Sequence, residues 1–356
     1  MTTTHPRLPM ALPLVQGPFG GGLSTVALAS AVSRRGGLGS FGAHLVEPDG
    51  IAGLVAELRA ACDGPFAVNL WVSDHDPGGD AASPELLAAL QQIFAPYFRE
   101  LGEATPDPPA AFHPSFEDQA EALLAAAPPV FSFVFGVPRP AILDACRRRG
   151  ILTIGAATTV AEALALDAAG VDAIVATGFE AGGHRPSFLA RAEDSLMGTM
   201  ALTPLVVDRV RVPVIAAGGV VDGRGVRAAR ALGAAAVQLG TAFLACDESG
   251  ASPGHRAALF GEGAHTTVLT RAFTGRLARG LRNRWTHEMA DRLSALAPFP
   301  IQSWYVGQLK RAAVAAGRTD LVSLWGGQAA PNLRHHTADA LITSLLPALA
   351  ANDGAA

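Results

Sequence analysis

Residues 212–241 read Val212-Pro-Val-Ile-Ala-Ala-Gly-Gly-Val-Val-Asp-Gly-Arg-Gly-Val-Arg-Ala-Ala-Arg-Ala-Leu-Gly-Ala-Ala-Ala-Val-Gln-Leu-Gly-Thr241. Two short apolar runs, Val214–Ala217 and Ala236–Leu239, flank a helix-like segment, Gly223–Leu232, rich in Ala, Leu and Arg. Near-continuously apolar runs of this length suit strands buried on both faces of a parallel sheet. Gly233 falls between helix and strand, where a left-handed C-cap is wanted. The stretch is a strand–helix–strand unit, and the unit recurs towards the N-terminus. Further runs occur at Ala173–Ala176, Leu152–Gly155, Val130–Phe135, Phe66–Trp71, Leu38–Phe41 and Leu12–Val15, with helical segments such as Ser24–Arg35 and Glu162–Ala169 between them. Eight such strands predict an α/β protein, a (β/α)8 TIM barrel, with an open doubly wound sheet as the weaker alternative.

The barrel is expected over residues 9–250, with two departures from simple alternation. After the third strand, residues 74–129 hold a Gly/Pro-rich start at Asp76-Pro-Gly-Gly and an amphipathic helix near Pro84–Leu101. A Pro-rich loop at Pro106–Pro109 and a helix near Phe116–Ala127 follow. After the eighth strand, residues 251–350 read as a helical portion carrying Trp285, Trp304, Tyr305 and Trp325. Loops that follow barrel strands line the active-site mouth, so both additions are expected to form a lid. The C-terminal part could equally cover a partner's barrel, which leaves a homodimer open.

Composition closes off several classes of function. The chain has 356 residues, 49% hydrophobic and only 16% charged, which excludes extensive disorder. A net charge of −4 argues against nucleic acid or an anionic membrane surface as partner. The single lysine, Lys310, makes Schiff-base and P-loop chemistry improbable. Cys62, Cys146 and Cys246 are far apart and form no C-x-x-C pair, so neither a disulfide framework nor a zinc site is indicated. No metal is expected, because H-E-x-x-H spacing is absent and His335-His336 are adjacent. Met1–Leu8 lacks a secretory apolar core, no membrane-length apolar run follows, and Asn352–Ala356 reads as a frayed tail. These features predict a soluble, cytoplasmic protein.

The chemistry is expected at the strand ends. Gly218-Gly219 and Gly240-Thr241 follow the seventh and eighth strands, where barrels frequently hold a phosphate. Glycines remove the Cβ that would block a ligand, and N–H groups at the helix start after Asp222 could bind an anion. Past the sixth strand, Glu180-Ala-Gly-Gly-His184-Arg185 puts a histidine on a flexible loop at the same face, with a pKa suited to proton transfer. Arg185 could attract an anionic substrate. Asn69 is a polar side chain in an apolar strand, and a buried amide needs a partner. Gln16–Gly22 closes the first strand with a turn open to a planar ligand, and Ser24 is a plausible N-cap for the next helix.

Together these pieces resemble the nitronate monooxygenases, FMN-dependent barrel enzymes. The likeness runs from about Leu12 to Trp325. Its most specific parts are Gln16–Gly22 with Ser24-Thr25, Pro65–Leu70, Phe131–Gly136, Gly178–Arg185, Ala216–Gly223, Gln238–Phe243 and Ser323–Gln328. The resemblance implies FMN-dependent oxidation of alkyl nitronates, and of nitroalkanes in some members, by O2 to a carbonyl compound and nitrite. It implies FMN contacts from Asn69, Gly182, Gly219, Gln238, Leu239, Gly240 and Thr241, and makes His184 the catalytic histidine. Gln16, Gly17, Thr177, Gly183 and Gly218 join the expected cofactor site, and Phe19 with His184 the substrate site. Two departures stand out. The family's usual Gln-Ala-Pro-Met-Ala-Gly is Gln16-Gly17-Pro18-Phe19-Gly20-Gly21 here, and a position commonly glutamine is Thr177. Three other functions stay open at this stage. They are an NAD(P)H-dependent flavin reductase of quinones or enoyl thioesters, a flavin-free barrel for a phosphorylated metabolite, and a non-catalytic flavin-binding sensor.

Overall fold

The computed structural model describes residues 8–72 and 82–350. The Asp76-Pro-Gly-Gly start, the tail Asn352–Ala356 and all but Leu8 of the N-terminal octapeptide lie outside the described residues. Eight parallel strands form one sheet: Leu14–Gln16, Gly39–Gly42, Phe66–Trp71, Val130–Val134, Leu152–Ala157, Ala173–Thr177, Val214–Ala217 and Ala236–Leu239. The first strand pairs with the eighth, and the ladder then runs back in chain order to the second. Leu38, just before the second strand, exchanges backbone hydrogen bonds with Leu14 and Gln16 at 2.9 Å each, which closes the ring. The expected TIM barrel is therefore formed.

Alternation within each strand divides the core in two. Val15, Ala67, Val130, Ile154, Ala156, Ala173, Val175, Ile215, Ala217 and Ala236 make up one buried cluster, the barrel interior. The intervening residues, such as Val68, Leu70, Phe131, Phe133 and Ile174, pack outward against the helices. Caps set where those helices begin. Thr25 accepts from the Leu28 N–H, Ser115 from Asp118 and Thr159 from Glu162. Gly39 fixes the distance between helix and sheet, since a Cβ there would lie 2.0 Å from the Ala29 carbonyl oxygen.

The two additions pack on each other. The amphipathic helix Pro84–Glu100 buries Leu90, Phe94, Tyr97 and Phe98. Phe94 meets the rings of Trp285 and Tyr305, with Tyr97 edge-on to Trp285. Beyond residue 251 the chain is not all helical. Thr267–Thr270 and Ala278–Leu281 form an antiparallel hairpin whose second strand also pairs with Gly183–His184. The β-branched composition of Thr267-Val-Leu-Thr favours a strand once a partner is near; Ala278–Leu281 is that partner, and its own second neighbour, Gly183–His184, lies far upstream. The helix Ala338–Leu349 leaves this region altogether. It packs on Gly223–Ala231 and Val26–Arg34, and so supplies the helix that follows the eighth strand. Among the described residues, no helix is long and apolar enough to cross a membrane.

Candidate active site

The strand pleat sorts the expected ligand-holding side chains. Asn69, Thr177 and Gln238 lie two residues beyond the interior Ala67, Val175 and Ala236, so they share the inward face at the C-terminal end of the barrel. Asn69 donates from Nδ2 to the Ser132 hydroxyl at 3.1 Å, its neighbour in register on the fourth strand. Gln16 and Leu239 face the other way. Gln16 is fully buried, its amide donating to the Gly17 carbonyl and accepting from the Ser40 N–H at 2.8 Å. It ties the first strand to the second, and Leu239 packs in the outer core. Any contact these two make with a ligand comes from their backbones.

Glycines open the mouth. Gly17 donates its N–H to Leu239 at 2.9 Å and lies against Gly240, where its Cβ would stand 3.3 Å from the Gly240 Cα. Gly183, Gly218 and Gly219 have φ values of 82°, 104° and 72°, the left-handed region in which a side chain is strained. At Gly219 and Gly240 an added Cβ would make only ordinary van der Waals contact, with its nearest atom 3.7 Å and 3.9 Å away respectively. The latter atom belongs to the Phe19 ring. Over this face lies Ser323–Gln328. The Gly327 N–H donates to the Thr241 hydroxyl at 2.9 Å and the Gln328 N–H to the Glu180 carbonyl at 3.0 Å. Gly182 sits so close beneath that a Cβ would be 2.6 Å from the Gly327 nitrogen.

Two expectations are corrected here. The helix start after Asp222 is occupied by the protein itself, for the Asp222 carboxylate accepts from the Arg224 and Gly225 N–H groups at 2.9 and 3.2 Å. Arg185 does not face a substrate. It is buried and donates to the carbonyls of Thr177 and Ser195 at 2.8 and 2.7 Å, holding the loop that follows the sixth strand.

His184 is fixed from both sides. Its backbone is in register with Ala278, and its Nε2 is 2.8 Å from the Thr274 hydroxyl. Around the imidazole stand Trp71 at 4.8 Å, Trp325 at 5.2 Å and Phe135 at 6.0 Å between ring centroids. Phe135 has φ 70°, rare for a bulky residue and worth about 1–3 kcal/mol of strain. The Arg276 guanidinium lies 3.6 Å over the Phe135 ring and also approaches Phe299 and Trp71. Burial, and then the Arg276 charge, push the His184 pKa down to about 3, so the imidazole is neutral at physiological pH. His44 stacks flat on Trp71 at 3.7 Å, and His113 stands 6.0 Å from His44.

Sequence reasoning missed much of this box: His44, Trp71, His113, Phe135, Thr274, Arg276 and Phe299. Trp71 and His44 carried a usable signal, since each sits at the C-terminal end of a barrel strand. Thr274 and Arg276 carried none, because only the hairpin brings them there.

A sequence model of the nitronate monooxygenases matches residues 5–348. The nitronate monooxygenase of Paraburkholderia phytofirmans is 41% identical over 96% of this chain and 93% of its own. The chain belongs to the nitronate monooxygenase family. A probable nitronate monooxygenase from Staphylococcus saprophyticus is 36% identical over 94% of this chain and 93% of its own. Among solved structures, the nitroalkane oxidase of Streptomyces ansochromogenes superposes with a TM-score of 0.87 at 37% identity, covering 96% of both chains. FabK from Thermotoga maritima is more distant, with a TM-score of 0.71 and 29% identity over 96% of this chain and 93% of its own. As a nitronate monooxygenase family member this protein is an oxidoreductase acting on nitronates or nitroalkanes.

Proposed function

We propose that the protein oxidises alkyl nitronates by O2, with FMN as cofactor, to a carbonyl compound and nitrite. The observation that carries the choice of nitronate is the state of His184. A neutral imidazole with a pKa near 3 is a weak base towards a neutral nitroalkane, whereas a nitronate arrives already deprotonated. The residues present fit a flavin mononucleotide. Gly219, Gly240 and Thr241 offer a Cβ-free edge and a hydroxyl for the phosphate, and Asn69, Thr177 and Gln238 offer amide and hydroxyl groups at the barrel mouth. Bound there, FMN would supply electron transfer between the nitronate and O2.

The chain's own groups bind and orient the substrate. Arg276, stacked on Phe135, brings positive charge to the side of the mouth where His184 stands. The His184 Nε2 faces Thr274. With the Thr274 hydroxyl donating to Nε2, the proton sits on Nδ1, which can then donate to a nitronate oxygen. With Nε2–H donating to Thr274 instead, Nδ1 can accept a proton from a nitroalkane. The first tautomer serves a nitronate, the second a nitroalkane. Trp71, Phe135 and Trp325 exclude water from the side of the imidazole.

One anaerobic spectral titration tests this reading. Purified protein is expected to carry a flavin band that changes on addition of propyl nitronate and not on addition of NADH. A band that bleaches with NADH and ignores the nitronate would replace this function with the NAD(P)H-dependent flavin reductase. No flavin band after adding FMN would remove the cofactor assignment.

A further inference from the structure

The mouth holds a second polar group that the reading above does not use. His44 follows the second strand and is 5% exposed, with its imidazole lying face to face on Trp71, 3.7 Å away and 5° from parallel. A seat is made for it by Gly20, since a Cβ there would fall 1.8 Å from the His44 Cε1. His113, from the loop between Pro84–Glu100 and Phe116–Ala126, lies 6.0 Å beyond, its plane within 18° of that of His44. Its Nδ1 is 2.7 Å from the Pro114 carbonyl, and its ring stands edge-on to Phe299. His44 Nδ1 and His113 Nε2 are buried without a hydrogen-bond partner.

Buried polar atoms left unpaired are costly, and two of them on neighbouring rings in a mouth otherwise walled by aromatic rings call for a ligand. The indole of Trp71 joins this pair to the catalytic side, because it also meets His184 edge-on at 4.8 Å. Burial keeps both rings neutral, the Arg276 charge adding to that. Neutral imidazoles suit an uncharged hydrogen-bonding group better than a carboxylate, whose burial needs a compensating charge. We propose that His44 and His113 form a polar subsite, across Trp71 from His184, that binds a hydroxyl on the substrate's chain, which can donate to His113 Nε2 and accept from His44. The preferred substrates are then hydroxyl-substituted nitronates, not plain alkyl ones. The inference rests on the nitronate reading and specifies what that site prefers.

The test compares nitronates of equal length in the holoenzyme: those of 1-nitrobutane, 3-nitro-1-propanol and 3-nitropropanoate. The hydroxyl compound is expected to exceed the butyl one in kcat/KM by roughly tenfold, the usual worth of one neutral hydrogen bond. In His44→Phe, which keeps a ring on Trp71, and in His113→Phe, that ratio should fall towards one, with His44→Asn restoring part of it. Equal rates for hydroxyl and butyl compounds in the parent overturn the subsite. A preference for the carboxylate alone also overturns it, because that assigns the selection to Arg276. Imidazole 15N spectra give a readout that needs no turnover. The His44 and His113 signals should move on anaerobic addition of 3-nitro-1-propanol and stay put with 1-nitrobutane. If no nitronate is oxidised yet these signals move, the nitronate reading has failed and the subsite stands. If oxidation proceeds and the signals stay still, the subsite alone has failed.

Discussion

At the scale of single residues, His184 and Thr274 act as a pair. On the proposed function, replacing His184 by Ala removes a group that meets the substrate but none that holds the cofactor. FMN content is expected to stay stoichiometric while nitronate turnover drops about 100-fold, the lower end of the range for a positioned acid–base group. Thr274→Val leaves the imidazole without its 2.8 Å partner and is expected to lower kcat by about tenfold. Flavin absorbance with initial rates checks both, and loss of flavin from either variant would move that residue into the cofactor site. His184 was legible in the sequence because its Gly-Gly loop follows a strand. Arg185, its neighbour, misled for a physical reason. An arginine beside a site reads as a substrate anchor, yet here two backbone carbonyls claim it. Gln16 misled similarly, since the pleat turns its amide to the second strand.

Among elements, the eight strands and their helices were readable because each carries a local signal: an apolar run, a cap or a terminal glycine. The hairpin at Thr267–Leu281 was not, because its pairing to Gly183–His184 is non-local and leaves no period in the sequence. The Ser323–Gln328 segment depends on the same kind of distant fit. Gly182→Ala would drive a methyl group to 2.6 Å from the Gly327 nitrogen. Overpacking of this sort costs about 1–3 kcal/mol. The variant is expected to unfold at lower urea concentration and to release flavin on gel filtration. A variant as stable and as yellow as the parent would show that this segment yields without consequence.

For the whole molecule, four histidines whose pKa burial lowers, His113 among them, govern the response to acid. Burial sets His184 near pKa 3 and His255 near 4, and lowers His44 as well. In the unfolded chain each titrates near 6.5. Between those values the unfolded state binds protons that the native state does not, so stability falls as the pH drops below about 6.5 and keeps falling towards 3. Urea midpoints measured from pH 8 to pH 4 should therefore decline. His255→Gln, which keeps a donor for the Trp325 carbonyl, should flatten part of that decline. The helix Ala338–Leu349 matters at the same scale. Leu341, Ile342, Leu345 and Leu349 are all buried, and at about 1.5–3 kcal/mol each they rival the net stability of a typical domain. A chain ending at residue 337 is expected to lose its cooperative thermal transition by circular dichroism.

That helix also sets a clock. The first strand must pair with Ala236–Leu239, far downstream of it, and the stave that covers their seam is Ala338–Leu349. While the ribosome is still adding the lid segments, the nascent barrel has a bare flank where Val26–Arg34 and Gly223–Ala231 await their neighbour. The ring is sealed only once Leu349 has emerged from the exit tunnel. Until then the nascent polypeptide exposes apolar surface of the kind that holding chaperones bind.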